Sequence, residues 1–195
     1  LDLSLPALLE QAAAQFAPAL RADAVVETVL SFILDRLRGY YLDQGVRPDT
    51  FEAVLECRPP RPLDFDRRVR AVGAFRALPE AARLAAANKR IRNILRKVET
   101  TLPFEVRLDL LVEDAEQALA ARLAELSSEV LPLMETGLYG EALNRLAGLR
   151  EPVDAFFDQV LVMAEDPALR DNRLALLNEL SSLFLRVADF SRLQD

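Results

Sequence analysis

LAAANKRIRNILRKV, residues 84–98, reads as the two faces of one helix. Leu84, Ala87, Ile91, Ile94, Leu95 and Val98 recur at three- and four-residue steps, the spacing that lines side chains up along an α-helix. Lys89, Arg92, Asn93 and Arg96 fall on the opposite side, with Arg90 and Lys97 flanking them. Residues 86–97 hold five cations and no acid. The stretch is therefore expected to pack by one side and to show a cationic side to solvent.

The same periodicity runs outward in both directions. SLPALLEQAAAQFAPAL (4–20) offers Ser4 as an N-cap and Pro6 in the first turn. In DAVVETVLSFILDRLRGYYLDQG (23–45), Val25, Val29, Phe32, Ile33, Leu37, Tyr40 and Tyr41 keep helical spacing and Gly45 supplies a stop. A short helix follows from Pro48, and RPPRP (58–62) breaks it, because proline removes a donor and fixes φ. DFDRRVRAVGAFRAL (64–78) resumes with Val69, Val72, Phe75 and Leu78 inward. TTLPFEVRLDLLVED (100–114) alternates Phe104, Val106, Leu108 and Leu110 as a strand would. No partner strand is evident, so it reads as a linking segment. Four further helical stretches are jointed at Gly137, Gly148–Pro152 and Asp166–Pro167. The expectation is an all-α bundle of about eight or nine helices in two parts, residues 1–78 and 79–195.

Charge is distributed unevenly. The chain carries a net −7, yet residues 58–97 alone are +9, with twelve bases against three acids. Residues 1–57 are −5 and residues 98–195 are −11. Like charges on one helix repel, so a concentrated basic face argues for an anionic partner. Arginine outnumbers lysine 22 to 2, which reads as coding bias. The absence of histidine excludes Ser-His-Asp and Cys-His catalysis and His-ligated zinc. Cys57 is the one cysteine, so no internal disulfide forms, and without a histidine to activate it the expectation is a half-buried, unreactive thiol. No apolar run approaches the roughly 20 residues a bilayer requires. The start at Leu1 rather than Met suggests a piece of a longer protein.

With the helices placed, AAANKRIRNIL (85–95), EDAEQALAARL (113–123), residues 139–180 from YGEALNRL to LALLNEL, and LFLRVADFSRLQ (183–194) resemble the carboxyl-terminal part of bacterial glycyl-tRNA synthetase β subunits. VLECRPPRPLDFDRRVRAVGAFR (54–76) is similar to the segment just upstream. Residues from about 80 onward resemble the helical anticodon-binding domain named for a D-A-L-R signature, which arginyl-tRNA synthetases share. Here, in Asp166-Pro167-Ala168-Leu169-Arg170, proline precedes Ala-Leu-Arg where the signature has aspartate, read as a helix start with Asp166 as cap. The resemblance implies a chain that holds glycine tRNA by its anticodon arm and carries no catalytic site. It implies a partner α subunit, reached through the full-length β subunit, where ATP and magnesium act, and a cytoplasmic location. No cofactor is expected within these residues.

The candidate RNA contacts are Asn88, Lys89, Arg90, Arg92, Asn93, Arg96 and Lys97 on the basic helix, with Arg170 and Arg173 near the signature. Lysine and arginine neutralise phosphates, arginine also stacks on unpaired bases, and an asparagine amide can read a base edge. The competing expectation is that the cations pair with the acidic helices after residue 98. For Asn172 and Arg173 it is a first-turn bond and a bridge to an acid such as Asp158. Phe156, Phe157 and Phe184 are expected in the core and Phe104 as a stacking candidate. Tyr40 and Tyr41 are candidates to face another subunit or domain. The other class of function is a helical scaffold whose basic band docks an acidic protein.

Overall fold

The computed structural model describes residues 2–16, 22–98 and 105–194. Among them are nine α-helices and no strand: α1 Leu5–Ala14, α2 Ala22–Asp43, α3 Pro48–Glu56, α4 Pro62–Phe75, α5 Ala81–Leu95, α6 Asp114–Glu135, α7 Tyr139–Leu146, α8 Arg150–Gln159 and α9 Pro167–Leu185. Turns of 3-10 helix sit at Leu108–Leu110, Ala147–Leu149 and Phe190–Arg192. The all-α expectation holds. Phe104 lies outside the described residues.

The helix ends follow local chemistry. Ser4 accepts from the Ala7 amide at 3.5 Å, and Asp166 accepts from Ala168 at 2.8 Å with Pro167 opening α9. Gly45 and Gly137 take φ of +82° and +76°, a left-handed conformation that glycine adopts without strain. Each ends its helix with a back-bond across the turn, Val46 N to Tyr41 O at 3.0 Å and Leu138 N to Leu133 O at 2.8 Å. The described part of the alternating segment, residues 105–113, is not a strand. Its apolar residues enter the turn Leu108–Leu110, and Asn172 takes both backbone groups of Arg107, at 2.7 and 3.0 Å.

Helical spacing also predicts the core. Val69, Val72 and Phe75 of α4 and Leu84 and Ile91 of α5 are buried, as are Phe156 of α8 and Phe184 of α9. Phe157 is half-buried against the same cluster. This cluster is continuous from Tyr41 to Leu193. α4 packs on α7, and the turn Phe190–Arg192 packs on α3 and α5, so helices on both sides of residues 78–79 share one core. α2 behaves differently. Of its described side chains only Tyr41 is buried, while Phe32 and Tyr40 are 59% and 58% exposed. α1 and α2 form a hairpin that joins the rest mainly through α3 and the Tyr41 end.

Candidate nucleic-acid interface

α5 buries Leu84, Ala87 and Ile91 and turns Lys89, Arg90, Arg92, Asn93, Arg96 and Lys97 to the surface, as its periodicity requires. Asn88 is the exception. It is 4% exposed and donates back to the Leu84 carbonyl at 2.9 Å, so its amide nitrogen is taken up inside the helix and not displayed with the surface cations. The signal was present in the spacing, because Asn88 stands four residues after Leu84 and three before Ile91, on the apolar side.

The exposed cations divide by their partners. Arg92 reaches across to the carboxyl-terminal turn. It pairs with the buried Asp189, lies 3.5 Å from Glu56, and donates to Ser191 Oγ at 3.1 Å. Arg192 pairs with the same Glu56 and stands 3.4 Å from Asp189. Asp189 also accepts from the amide and hydroxyl of Ser191, at 3.1 and 2.6 Å. Arg92 is thus partly a structural clamp. Arg90 lies over the Phe157 ring at 4.1 Å, a cation–π contact that leaves its charge at the surface. Among the described residues, Arg96 meets Asn93 Oδ1 alone, at a long 3.5 Å. Among the described residues, Lys89 and Lys97 meet no carboxylate.

The rest of the basic segment is largely neutralised. Arg58, Arg61, Arg68, Arg70, Arg76 and Arg83 pair with Glu27, Asp2, Asp64, Asp66, Asp49 and Asp154. Seven of the twelve cations, Arg92 included, therefore have an acid in the described structure. Of the five others, Arg67 lies against the α6–α7 turn, its Nη1 2.9 Å from where a Cβ on Gly137 would stand. The remaining four, Lys89, Arg90, Arg96 and Lys97, are on and just past α5. The acids are not confined to the helices after residue 98; most of the pairing acids precede it.

Arg68 shows why so many of these bases are structural. It donates to Tyr139 Oη at 3.0 Å and to the carbonyls of Arg186 and Val187 at 2.6 and 3.0 Å, tying α4 to α7 and to the end of α9. Burial pushes the Tyr139 phenol up from its ordinary pKa, and its 2.6 Å hydrogen bond to Asp64 adds to the shift.

The signature region is internal. Arg173 and Glu116 form a buried ion pair, and Arg173 also donates to the Leu161 carbonyl at 2.8 Å. The acid is Glu116 of α6 rather than Asp158. Glu116 simultaneously accepts from the amides of Val112 and Glu113, at 2.8 and 3.1 Å, closing a capping box at the start of α6. Arg173 is therefore withdrawn from the RNA candidates. Arg170 is half-buried, 3.6 Å from Asp171, in a helix start that also carries Glu165 and Asp166. That acidic setting disfavours phosphate.

Beside α5 lies an open groove of roughly 650 Å³ between α5, α9 and the carboxyl-terminal turn. Arg92, Arg96, Asn178, Ser181 and Ser191 line it, and its two acids, Glu56 and Asp189, are already paired. Asn178 and Ser181 were not singled out by sequence reasoning. Cys57 also borders the groove, where burial raises its thiol pKa and its Sγ donates to the Leu185 carbonyl at 3.2 Å. That is a satisfied thiol, not a nucleophile. No helix among the described residues is long and apolar enough to cross a membrane.

Residues 84–187 match the model of the DALR anticodon binding domain. The chain is 56% identical over 194 residues to the glycine–tRNA ligase beta subunit of Aeromonas hydrophila, 54% to that of Glaesserella parasuis and 52% to that of Haemophilus influenzae. Each alignment covers 100% of this chain and 28% of the relative, so the chain spans little more than a quarter of the length of these proteins.

Proposed function

From the premise that this chain belongs to the DALR anticodon binding domain family, which the match over residues 84–187 establishes, we propose that it is the tRNA-holding part of a glycine–tRNA ligase β subunit. Its ligand is the anticodon arm of glycine tRNA. Ligation itself, with ATP and magnesium, takes place on a partner α subunit in the cytoplasm, and these residues contribute by positioning the tRNA. The observation that carries the reading is electrostatic. Within a chain of net charge −7, four of the cations that meet no acid among the described residues, Lys89, Arg90, Arg96 and Lys97, gather on and just past α5, inside the matched span. Lys89, Arg96 and Lys97 are free to neutralise phosphates, and the surrounding negative charge discourages RNA that lacks the complementary shape. The scaffold alternative is not favoured by the family.

The test is binding of the full-length protein to glycine tRNA, and to the same tRNA with its two glycine-specifying anticodon cytosines replaced, across a salt series. The triple variant Lys89→Glu, Arg96→Glu and Lys97→Glu is measured alongside. Arg92 is left intact because its loss would disturb the Asp189 clamp. The expected result is a preference for the native anticodon and, in the variant, weaker binding with a salt slope smaller by about 2. Equal binding of both tRNAs by wild type and variant alike overturns the assignment.

A further inference from the structure

Resting on that reading, we infer that the groove between α5, α9 and the carboxyl-terminal turn takes one unpaired nucleobase of the bound RNA, and that Asn178 reads its edge. The argument begins with unused hydrogen-bonding capacity. Asn178 is exposed on α9, and neither its amide nor the Ser181 hydroxyl one turn along has a protein partner among the described residues. The other asparagines near the basic surface are engaged: Asn88 with Leu84, Asn93 with Arg96, and Asn172 with Arg107. Asn88 also borders the groove but its amide nitrogen is taken by Leu84, and Asn93 is not among the lining residues, so Asn178 is the groove amide with both donor and acceptor unused among the described residues, the pattern that meets a base edge with two hydrogen bonds.

The surroundings suit a base rather than a free anion. The groove, roughly 650 Å³, is walled by apolar atoms of Leu95, Leu185 and Ala188 as well as by Arg92 and Arg96. Ion pairing with Asp189 holds the Arg92 guanidinium in one orientation. A fixed guanidinium plane is a platform on which a base can stack, while the loosely held Arg96 is available to the adjoining phosphate. Single-stranded bases are recognised in this way, by stacking plus edge contacts, because their faces and edges are not already paired.

The experiment is a double-mutant cycle between protein and RNA. The full-length protein and its Asn178→Ala variant are titrated against glycine tRNA carrying an abasic site at each anticodon position in turn. The Lys89→Glu, Arg96→Glu, Lys97→Glu variant is titrated against unmodified tRNA. The wild type is expected to lose about 10-fold in affinity or more at one abasic position. Asn178→Ala should lose a similar factor on intact tRNA and nothing further at that position. Additive losses at every position, or no loss at any, overturn the pocket; if the triple variant still binds weakly, the broader RNA reading stands without it. If the triple variant binds as the wild type does, both fail together. Unchanged melting of Asn178→Ala confirms that affinity, not folding, is being read.

Discussion

Arg92 and Arg173 are both arginines on helices, both a few residues from an asparagine, and both paired with a carboxylate that is itself buried. Arg173 is 4% exposed: it faces Glu116 in the core, and Asn172 beside it fastens the segment before α6. Arg92 keeps 43% of its side chain exposed at the rim of a groove, even while it grips Asp189. The first pair consumes its charge in holding α9 to α6. The second fixes a guanidinium in place and leaves one side open. The difference teaches that in this bundle an arginine's role is set by what lies across from its helix, not by its immediate sequence.

The largest effect should come from breaking the inner pair. Removing one member of a buried ion pair strands the other charge, at about 3–5 kcal/mol. Arg173→Ala or Glu116→Ala is expected to lower thermal stability by that order, and Glu116→Ala should be the worse because the capping box is lost as well. Differential scanning calorimetry checks it. A melting point close to that of the wild type would show that water reaches the pair and that the contrast with Arg92 is false.

Arg92→Ala should cost less, about 2 kcal/mol, the scale of a charge-assisted contact. Asp189 retains Arg192 and Ser191 when Arg92 is gone. Unlike Arg173, Arg92 should also affect RNA: the variant is expected to bind tRNA more weakly even at temperatures where it is fully folded. Equal losses of stability at the two arginines would erase the distinction drawn here.

Much of this was legible in the sequence because it is local. Three- and four-residue spacing placed Leu84, Ile91, Val69 and Phe75 in the core, and the Asp166–Pro167 helix start followed from capping chemistry. The same spacing, applied strictly, would have put Asn88 inside. What spacing does not carry is the partner of a charge. Arg92 finds Glu56 at a separation of 36 residues, and Arg173 finds Glu116 at 57. The basic segment of +9 therefore argued as a whole for an anionic partner, whereas the fold brings acids to seven of its twelve cations and leaves a short basic edge. The groove was invisible for the same reason, since α5, α9 and the terminal turn meet only in three dimensions.

A smaller effect tests the carboxyl-terminal clamp, in which Asp49 of α3 and Arg76 at the end of α4 hold Gln194, just past the turn that Arg92 grips. Asp49 accepts from the Gln194 amide at 2.8 Å and from Arg76 at 2.8 Å. Burial acts to raise its pKa, but these hydrogen bonds and the charges of Arg76 and Arg47 outweigh it and hold the carboxyl below its usual value. A depressed folded pKa stabilises above the unfolded value of about 3.9 and is lost as pH falls through the folded one. Asp49→Asn should therefore cost about 1 kcal/mol near pH 7. The gap between variant and wild type should close as pH is lowered below about 4. A gap that stays constant with pH would mean that the charge of Asp49 contributes nothing.

The smallest effect on stability, and the sharpest on function, belongs to Lys89 and Lys97. Neither has a carboxylate among the described residues, and exposed side chains without partners change stability by no more than about 0.5 kcal/mol when replaced. Replacing both with alanine removes two like charges from a surface that also carries Arg90, Arg92 and Arg96, where repulsion makes the wild type slightly less stable than it could be. The double variant should melt at or marginally above the wild-type temperature. It should nevertheless bind tRNA more weakly at low salt, with a salt slope shallower by between 1 and 2 if each lysine meets a phosphate. Stability and binding then move in opposite directions at Lys89 and Lys97, together at Arg92, and at Arg173 stability should move alone, any loss of binding vanishing once the unfolded fraction is accounted for.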